Sequence, residues 1–309
     1  MNTEITYVIQ TLKIHGFLIH PNKIKLDKWF NCSVEENGSK KRSGGVFIDT
    51  RTGMCSYKNW FTNISGSFKF KVSENITNEI NKRRSMEQKQ FFENAKKAAE
   101  NFFNIDGNIK RSCSYLERKK VFNWGCKINE KNVFVVPMRL YNVTKDNKRT
   151  SYIRTLQYIH PSGRKQWEAG CEKKGSCHII GEIKTPETYS KIIYVAEGYS
   201  TALTVFLAMN TPCVMAGDAG NLQAVMCNLV RYYPKARFVI CADNDHGAYI
   251  KIGRNTGIGV AQSCKEQFNC EYCYPVFANK SELLPSDFND LFQIEGIDEV
   301  RKQITNGML

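Results

Sequence analysis

Carboxylate side chains follow apolar runs at three places in the second half of this sequence, and their pattern suits the binding of a hard metal ion. The first two sets follow their runs directly, and the last pair comes further downstream. The acids are Glu197, Asp243, Asp245, Asp287 and Asp290. Carboxylate oxygens are ligands that Mg²⁺ and Mn²⁺ prefer, and no His or Cys recurs at these positions to favour a softer metal. The sequence therefore predicts a Mg²⁺ or Mn²⁺ site, provided that the acids converge.

The elements that must position these acids are predicted from a regular alternation. From residue 191 onward, short apolar runs alternate with stretches of helical periodicity. The apolar runs are 192–196, 213–216, 238–242 and 272–276, and the helical stretches between them are 200–209, 222–232 and 257–268. This alternation is typical of βαβ units in a parallel sheet. Because functional groups of such sheets gather at the carboxyl ends of the strands, the acids are expected at one edge.

Further motifs accompany the acids along the chain. They read SYLER at 114–118, LQYIHPSGRK at 156–165, EGYSTA at 197–202, AGDAGNL at 216–222, DND at 243–245 and DFND at 287–290. Together they resemble the signature of Toprim domains, in the variant found in phage- and plasmid-encoded primases and primase-helicases. The resemblance covers residues 107–300 well and the N-terminal third poorly. It implies an α/β fold with a Rossmann-like parallel sheet as the Toprim catalytic domain, preceded by a basic α+β subdomain and a small N-terminal module.

The resemblance also implies a reaction. In such primases the Toprim acids bind divalent metal ions, and a basic subdomain before them grips template and nucleotide. By position, Glu197, Asp243 and Asp245 become the catalytic and metal-binding triad, with Asp287 or Asp290 as an auxiliary metal ligand. The expected activity is metal-dependent synthesis of short RNA primers from ribonucleoside triphosphates on single-stranded DNA, for replication of a phage or other mobile element.

Basic side chains in the same region are candidates for binding nucleotide or template phosphates. By the resemblance these are Arg118, Arg139, Arg154 and Lys165, and Asn244 joins them because it lies between two acids of the triad. Arg118 is the strongest candidate since its motif places it. For each of the others, a solvated surface position is an equal interpretation.

The charge distribution favours a polyanionic partner for the first two thirds of the chain. Of the 309 residues, 44 are Lys or Arg and 30 are Asp or Glu, and the excess is concentrated in residues 1–200. A basic surface of this kind attracts nucleic acid. No apolar run approaches the length of a membrane span, and no secretory signal is apparent, so we expect a cytoplasmic protein without a membrane partner.

Four segments are predicted from these patterns. Residues 1–72 form a small N-terminal module with a possible role in template binding, 73–106 a helical connector, 107–190 the basic primase-core subdomain and 191–309 the Toprim catalytic domain. The N-terminal module is rich in aromatic residues that could either fill a core or stack on bases. Core packing is favoured for most of them, which are Trp29, Phe47, Tyr57, Trp60 and Phe61.

Two other functions remain open at this point. A Toprim nuclease would use similar acids to cleave nucleic acid, and a non-catalytic single-stranded-DNA-binding accessory protein would keep the fold without the reaction. The intact acids argue against the second. The helicase loop G-x-x-x-x-G-K-[ST] is not found in the sequence, so we expect either a stand-alone primase or one that works with a separate replicative helicase, and the second is favoured. Residues 1–106 also lack the Cys/His quartet of a zinc module.

Overall fold

The computed structural model describes residues 3–37, 43–72, 74–106, 112–245, 255–278 and 285–308. Contacts divide the chain into two compact units, Met1–Lys89 and Gln90–Leu309. Each unit has its own sheet and its own apolar core. Within the described part of the chain, no helix has both the length and the apolar character needed to cross a bilayer.

The N-terminal unit combines a helix with an antiparallel sheet. Helix α1 spans Thr3–Ile14, and the strands are β1 (Phe17–Leu18), β2 (Phe30–Val34), β3 (Gly44–Asp49), β4 (Met54–Asn59) and β5 (Ser65–Lys69). The strands lie in sequence order, and every neighbouring pair is antiparallel. Short 3-10 helices lie at Pro21–Lys23 and Glu35–Asn37.

The core of this unit lies between α1 and one face of the sheet. Val8 and Leu12 are four residues apart, so both project from the same side of α1. Alternate residues of β2, β3 and β4 meet them because side chains of a strand point to opposite faces in turn. The buried cluster consists of Val8, Leu12, Phe17, Phe30, Cys32, Val34, Val46, Ile48, Cys55 and Phe70.

Four of the five aromatic residues assigned mainly to this core lie outside it. Trp29, Trp60 and Phe61 are exposed, whereas Tyr57 packs against the core and Phe47 is half-buried. The expectation of core packing was wrong for the three exposed residues. Hydrophobicity does not reveal which face of a strand a residue occupies, because strand register decides it.

The predicted helical connector over 73–106 corresponds to helix α2, which spans Glu74–Asn104. Its last turns pack into the C-terminal unit, where Ala98 and Phe102 join a buried cluster with Val135 and Leu156. The division between the two compact units falls inside this helix, between Lys89 and Gln90. The four-segment division predicted from the sequence stays a prediction.

The C-terminal unit is a mixed α/β structure. Its first elements are α3 (Ser114–Lys119), β6 (Lys127–Ile128), β7 (Phe134–Val143), β8 (Arg149–Ile159), β9 (Lys165–Trp167) and β10 (Ser176–Ile180). The alternating region follows with β11 (Ile192–Ala196), α4 (Tyr199–Met209), β12 (Cys213–Met215), α5 (Ala219–Tyr232), β13 (Arg237–Cys241), α6 (Thr256–Phe268), β14 (Glu271–Cys273), α7 (Phe288–Glu295) and α8 (Ile297–Asn306).

One continuous sheet unites these strands. Its order is β14-β13-β11-β12-β10-β7-β8-β9, and β6 pairs with β7 at the side. The pairs β13–β14, β11–β13 and β11–β12 are parallel, as the alternation predicts. From β10 to β9 the pairing is antiparallel. The strands of the predicted basic region therefore extend the same sheet as the parallel strands.

Helices cover both faces of the parallel part of the sheet. Tyr194 and Ala196 of β11 belong to the cluster that includes α4, α7 and α8. Ile193 and Val195 of the same strand belong to the cluster that includes α5 and α6. A strand buried on both faces needs apolar residues at every position. This burial explains why the strands that carry the acids read as continuous apolar runs.

Candidate active site

Adjacent parallel strands bring the first acids to one edge of the sheet. Parallel pairing sets Ala196 opposite both Met215 of β12 and Cys241 of β13. Glu197 follows Ala196 directly, and Asp243 comes two residues after Cys241. Both acids therefore leave their strands at the carboxyl end, where open α/β sheets carry their functional groups.

Glu197 lies half-buried beside the first turn of α5. Its carboxylate accepts a hydrogen bond from the backbone N–H of Ala219. Burial, together with the negative charge of Asp245, raises the pKa of Glu197 to about 7, although the positive charge of Lys165 opposes this shift. A carboxyl group with a pKa near neutrality can hold or release a proton at physiological pH.

Asp243 carries the least satisfied polar atom of this cluster. Its Oδ1 is shut off from water and has no hydrogen-bond partner among the described residues. Burial raises the pKa of Asp243 well above its ordinary value, and the charges of Glu197 and Asp287 raise it further. Leaving a buried carboxylate oxygen without a partner costs free energy. A cation bound at this atom would offset that cost.

Asn244 holds together the segment that carries the two aspartates. It is only 6% exposed, and its Nδ2 donates to the carbonyl oxygen of Pro275 at 2.9 Å. Its Oδ1 accepts from Nδ2 of Asn255 at 2.9 Å, and Asn255 in turn accepts from the backbone N–H of Asp245. The side chain of Asn244 thus fixes the short described segment that carries Asp243 and Asp245, and its predicted contact with nucleotide or template stays a prediction.

The two downstream acids have different surroundings. Asp287 caps α7 by accepting from the backbone N–H of Asp290 at 2.8 Å. Burial and the negative charge of Asp290 raise the pKa of Asp287, and its own charge acts on Asp243. Asp290 instead pairs with Nζ of Lys119 at 3.0 Å and accepts from the backbone N–H of Ser286. Of the two, Asp287 is therefore the acid that is electrostatically linked to the strand-end carboxylates.

The arrangement of the acids bears on the metal ion that the sequence predicts. Among the described residues, no set of three or more His, Cys, Asp and Glu side chains is grouped closely enough to form a ready-made metal site. The donor chemistry nevertheless fits a hard cation, because burial and the negative charges of neighbouring carboxylates raise the pKa of both Glu197 and Asp243, and one buried oxygen of Asp243 has no partner among the described residues. The assignment of Mg²⁺ or Mn²⁺ stays a prediction.

One of the four basic candidates lies beside the acids. Nζ of Lys165 is 3.4 Å from the point that a Cβ on Gly198 would occupy, and its charge lowers the pKa of both Glu197 and Asp243. Lys165 is therefore placed to bind an anionic group that approaches the strand ends.

The three arginines make contacts elsewhere in the same unit. Arg118 donates to the carbonyl oxygen of Pro161 at 2.8 Å and so joins α3 to the loop before β9. Arg139 donates to the backbone and side chain of Ser151, and Arg154 pairs with Glu172. Their predicted roles in binding nucleotide or template are not tested by these contacts.

Sequence reasoning did not select Asp218, although it is part of the cluster. Asp218 follows β12, and its charge raises the pKa of Glu197. Nζ of Lys173 pairs with it at 2.7 Å and also lies 5.5 Å from the ring centroid of Trp167. The signal for Asp218 was present, since it follows an apolar run as the other acids do. No spacing in the sequence singled out Lys173 or Trp167.

Gly257 provides a test of how closely helix α6 packs against the segment that carries Asp243 and Asp245. A Cβ on this glycine, in the first turn of α6, would lie 2.3 Å from the backbone oxygen of Asp243. Gly257→Ala is therefore expected to displace Asp243 and to lower the melting temperature by several degrees, since overpacking costs about 1–3 kcal/mol. Thermal unfolding followed by circular dichroism measures the change.

Gly259→Ala is the matched control for this substitution. Gly259 lies in the same helical turn, but a Cβ there would meet nothing within 4 Å. Alanine favours a helix over glycine by about 1 kcal/mol, so this variant is expected to melt at or above the wild-type temperature. Equal melting temperatures for the two variants would contradict the close packing of α6 on Asp243.

Comparison with known proteins adds an independent observation. No family model matches the chain. Over 133 residues it is 32% identical to DNA primase TraC from Escherichia coli, and the match covers 43% of this chain and 12% of that relative. This chain is similar to a DNA primase. The predicted resemblance to a DNA primase of a mobile element is thereby confirmed, and the Toprim assignment stays a prediction. A second protein of the same name and organism is 29% identical over 133 residues, which is 9% of its length.

The matched stretch is a small part of these relatives, since the chain covers only 12% and 9% of their lengths.

Primases of known structure are similar as well. The Aquifex aeolicus primase, in its zinc-binding and RNA polymerase domains, matches 100% of this chain and 87% of its own with a TM-score of 0.41 and 11% identity. A DnaG primase catalytic domain bound to single-stranded DNA matches 72% of this chain and 83% of its own length. Its TM-score is 0.38 and its sequence identity is 9%. TM-scores below 0.5 do not establish a shared fold. The similarity to primases therefore depends on the sequence match to DNA primase TraC.

Proposed function

We propose that this chain is a DNA primase, a metal-dependent nucleotidyltransferase of the Toprim type that makes short RNA primers on single-stranded DNA. One observation carries the proposal: a buried oxygen of Asp243 has no hydrogen-bond partner among the described residues, while burial and the charges of Glu197, Asp287 and Asp245 raise the pKa of this carboxyl group. Such a group is stabilised when a divalent cation neutralises it. The sequence similarity to DNA primase TraC supports primer synthesis as the use of that cation.

Asp243, Asp245 and Asp287 would hold Mg²⁺ or Mn²⁺, with Glu197 at the side of the cluster. When bound, the metal would lower the pKa of a primer 3′-hydroxyl and neutralise charge on the transferred phosphoryl group. Glu197 has a pKa of about 7, so its carboxylate can accept and hold the proton that the hydroxyl loses. Lys165, beside Glu197, would bind triphosphate oxygens and orient the nucleotide.

The other expected partners belong to the same proposal. Residues 1–200 carry most of the Lys and Arg excess, which suits the phosphates of a single-stranded DNA template. Arg118, Arg139 and Arg154 lie in this region and are the candidates for template or triphosphate contacts. A separate replicative helicase would deliver the template, and replication of a phage or other mobile element is the expected setting.

A product gel tests the proposal. Purified protein is incubated with single-stranded DNA, labelled ribonucleoside triphosphates and Mn²⁺ or Mg²⁺, and the expected product is a ladder of short RNAs that disappears when EDTA is added. Shortening of a labelled DNA strand would instead identify a nuclease. DNA binding with neither product, on varied templates, would identify a non-catalytic binding protein.

A further inference from the structure

The N-terminal sheet has one apolar face that α1 covers and a second face that carries exposed aromatic rings. Trp29 comes directly before β2 and Trp60 directly after β4, and they are 56% and 48% exposed. Phe47 lies between them along β3 and is half-buried. We call Trp29, Phe47 and Trp60 the aromatic face. Isolated exposed aromatics are common, but three on one side of a small sheet form a patch.

The three rings are continuous in space. The ring centroids of Trp29 and Phe47 are 5.8 Å apart, with their planes inclined by 37°. A Cβ on Gly45 would lie 2.7 Å from the ring of Trp60 and 3.4 Å from that of Trp29. Both indoles therefore lie over the same glycine, and a larger residue at position 45 would push them apart. Glycine at position 45 therefore leaves the space that both rings occupy.

Charge around the aromatic face suits an anionic occupant. Lys58 pairs with Gly45 across β3 and β4, so it belongs to the same face of the sheet. Asp49 also lies on this face, but Arg51 pairs with it at 3.4 Å. Residues 1–89 carry 15 Lys and Arg against 8 Asp and Glu. The occupant must therefore combine negative charge with flat apolar surfaces.

We infer that the aromatic face binds single-stranded nucleic acid by stacking unpaired bases on Trp29, Phe47 and Trp60, with Lys58 at the phosphates. Exposed rings beside basic residues bind single strands in this way, because every base offers a π-face once it is unpaired. A duplex hides those faces in its own stack. The inference adds a second surface to the single-stranded DNA partner proposed above, and it does not depend on the carboxylates.

Binding of fluorescently labelled oligo(dT) to the full chain, measured by anisotropy in EDTA without nucleotides, tests the inference. Trp29→Ala/Trp60→Ala is expected to raise the Kd for oligo(dT) at least about tenfold, because each stacked base contributes about 1–3 kcal/mol. An abasic oligonucleotide of equal length keeps the phosphates and lacks the bases, so wild type and variant should bind it equally. Phe103→Ala, an exposed aromatic of α2, is the control and should leave both Kd values unchanged.

An unchanged Kd for oligo(dT) in a variant that melts like wild type would overturn the inference, as would an equal loss on the abasic strand. A second measurement covers the case in which the double variant does not fold. In Trp124→Phe/Trp167→Phe, the remaining tryptophans are Trp29 and Trp60. Stacked bases should quench their fluorescence when oligo(dT) is added, and no quenching at saturating DNA would reject the aromatic face as the binding surface. Because neither measurement contains metal, failure here is separate from failure of primer synthesis.

Discussion

Asp243→Asn is expected to reduce primer synthesis about 1,000-fold while leaving the protein folded. A bound metal contributes several kcal/mol to a transition state of this kind, and each 1.36 kcal/mol corresponds to a tenfold change in rate. Asparagine keeps the size of the side chain but removes the negative charge that would hold the cation. Since the Oδ1 of Asp243 is buried without a partner, the loss of charge should not destabilise the metal-free fold.

Thermal unfolding separates loss of metal binding from loss of structure. Saturating Mn²⁺ should raise the wild-type melting temperature, because a ligand that binds only the folded state stabilises it by about 2.7 kcal/mol at 100 times its Kd. Asp243→Asn should melt like wild type in EDTA and show no rise with Mn²⁺. Asp298→Asn is the matched control, since Asp298 lies exposed on α8, where it pairs with Arg301. A normal Mn²⁺ response in Asp243→Asn would remove this residue from the proposed metal site.

Glu197 is expected to make the metal-free protein less stable as pH rises. Its folded pKa of about 7 lies above the ordinary value of 4.5, so the folded state binds more protons than the unfolded state between these values. The contribution of Glu197 to the free energy of unfolding is therefore greatest below pH 4.5. It falls as the pH rises toward 7 and stays low above pH 7. A shift of this size corresponds to a loss on the order of 3 kcal/mol.

Urea unfolding in EDTA at pH 5 and pH 8 measures this effect. The free energy of unfolding of wild type should fall from pH 5 to pH 8. That of Glu197→Gln should fall by a smaller amount, because glutamine does not titrate whereas Asp243 and Asp287, whose pKa values are also raised, remain. Glu197→Gln should also abolish primer synthesis and keep the wild-type affinity for single-stranded DNA. In saturating Mn²⁺ the wild-type trend should reverse, because metal binding requires ionised carboxylates. An identical pH dependence for wild type and Glu197→Gln would contradict the elevated pKa.

Much of the parallel part of the sheet in the C-terminal unit was predictable from local patterns. Strands buried on both faces must be apolar throughout, so β11 and β13 stand out in the sequence, and the helices between them show helical periodicity. The position of Glu197 and Asp243 within two residues of the ends of those strands then follows from chain order alone. Asp218 was predictable by the same rule and was not selected.

Other features depended on contacts between distant residues. The sequence does not reveal that β10 joins β12, which makes the antiparallel strands part of the same sheet. Nor does it distinguish Asp287 from Asp290, because Lys119, which neutralises Asp290, lies far away along the chain. The exposure of Trp29 and Trp60 depends on strand register, which local hydrophobicity does not encode.

The sequence by itself determined which residues could do chemistry: carboxylates after buried strands, a lysine in a primase-like motif and a basic N-terminal region. Periodicity and chain order are properties of the sequence itself, so they can be recognised without coordinates. Only the tertiary structure decided which of these charges act on one another, that Lys165 rather than the three arginines lies beside Glu197, and that one oxygen of Asp243 is buried without a partner. Electrostatic coupling depends on distance and burial, and both are set when the chain folds.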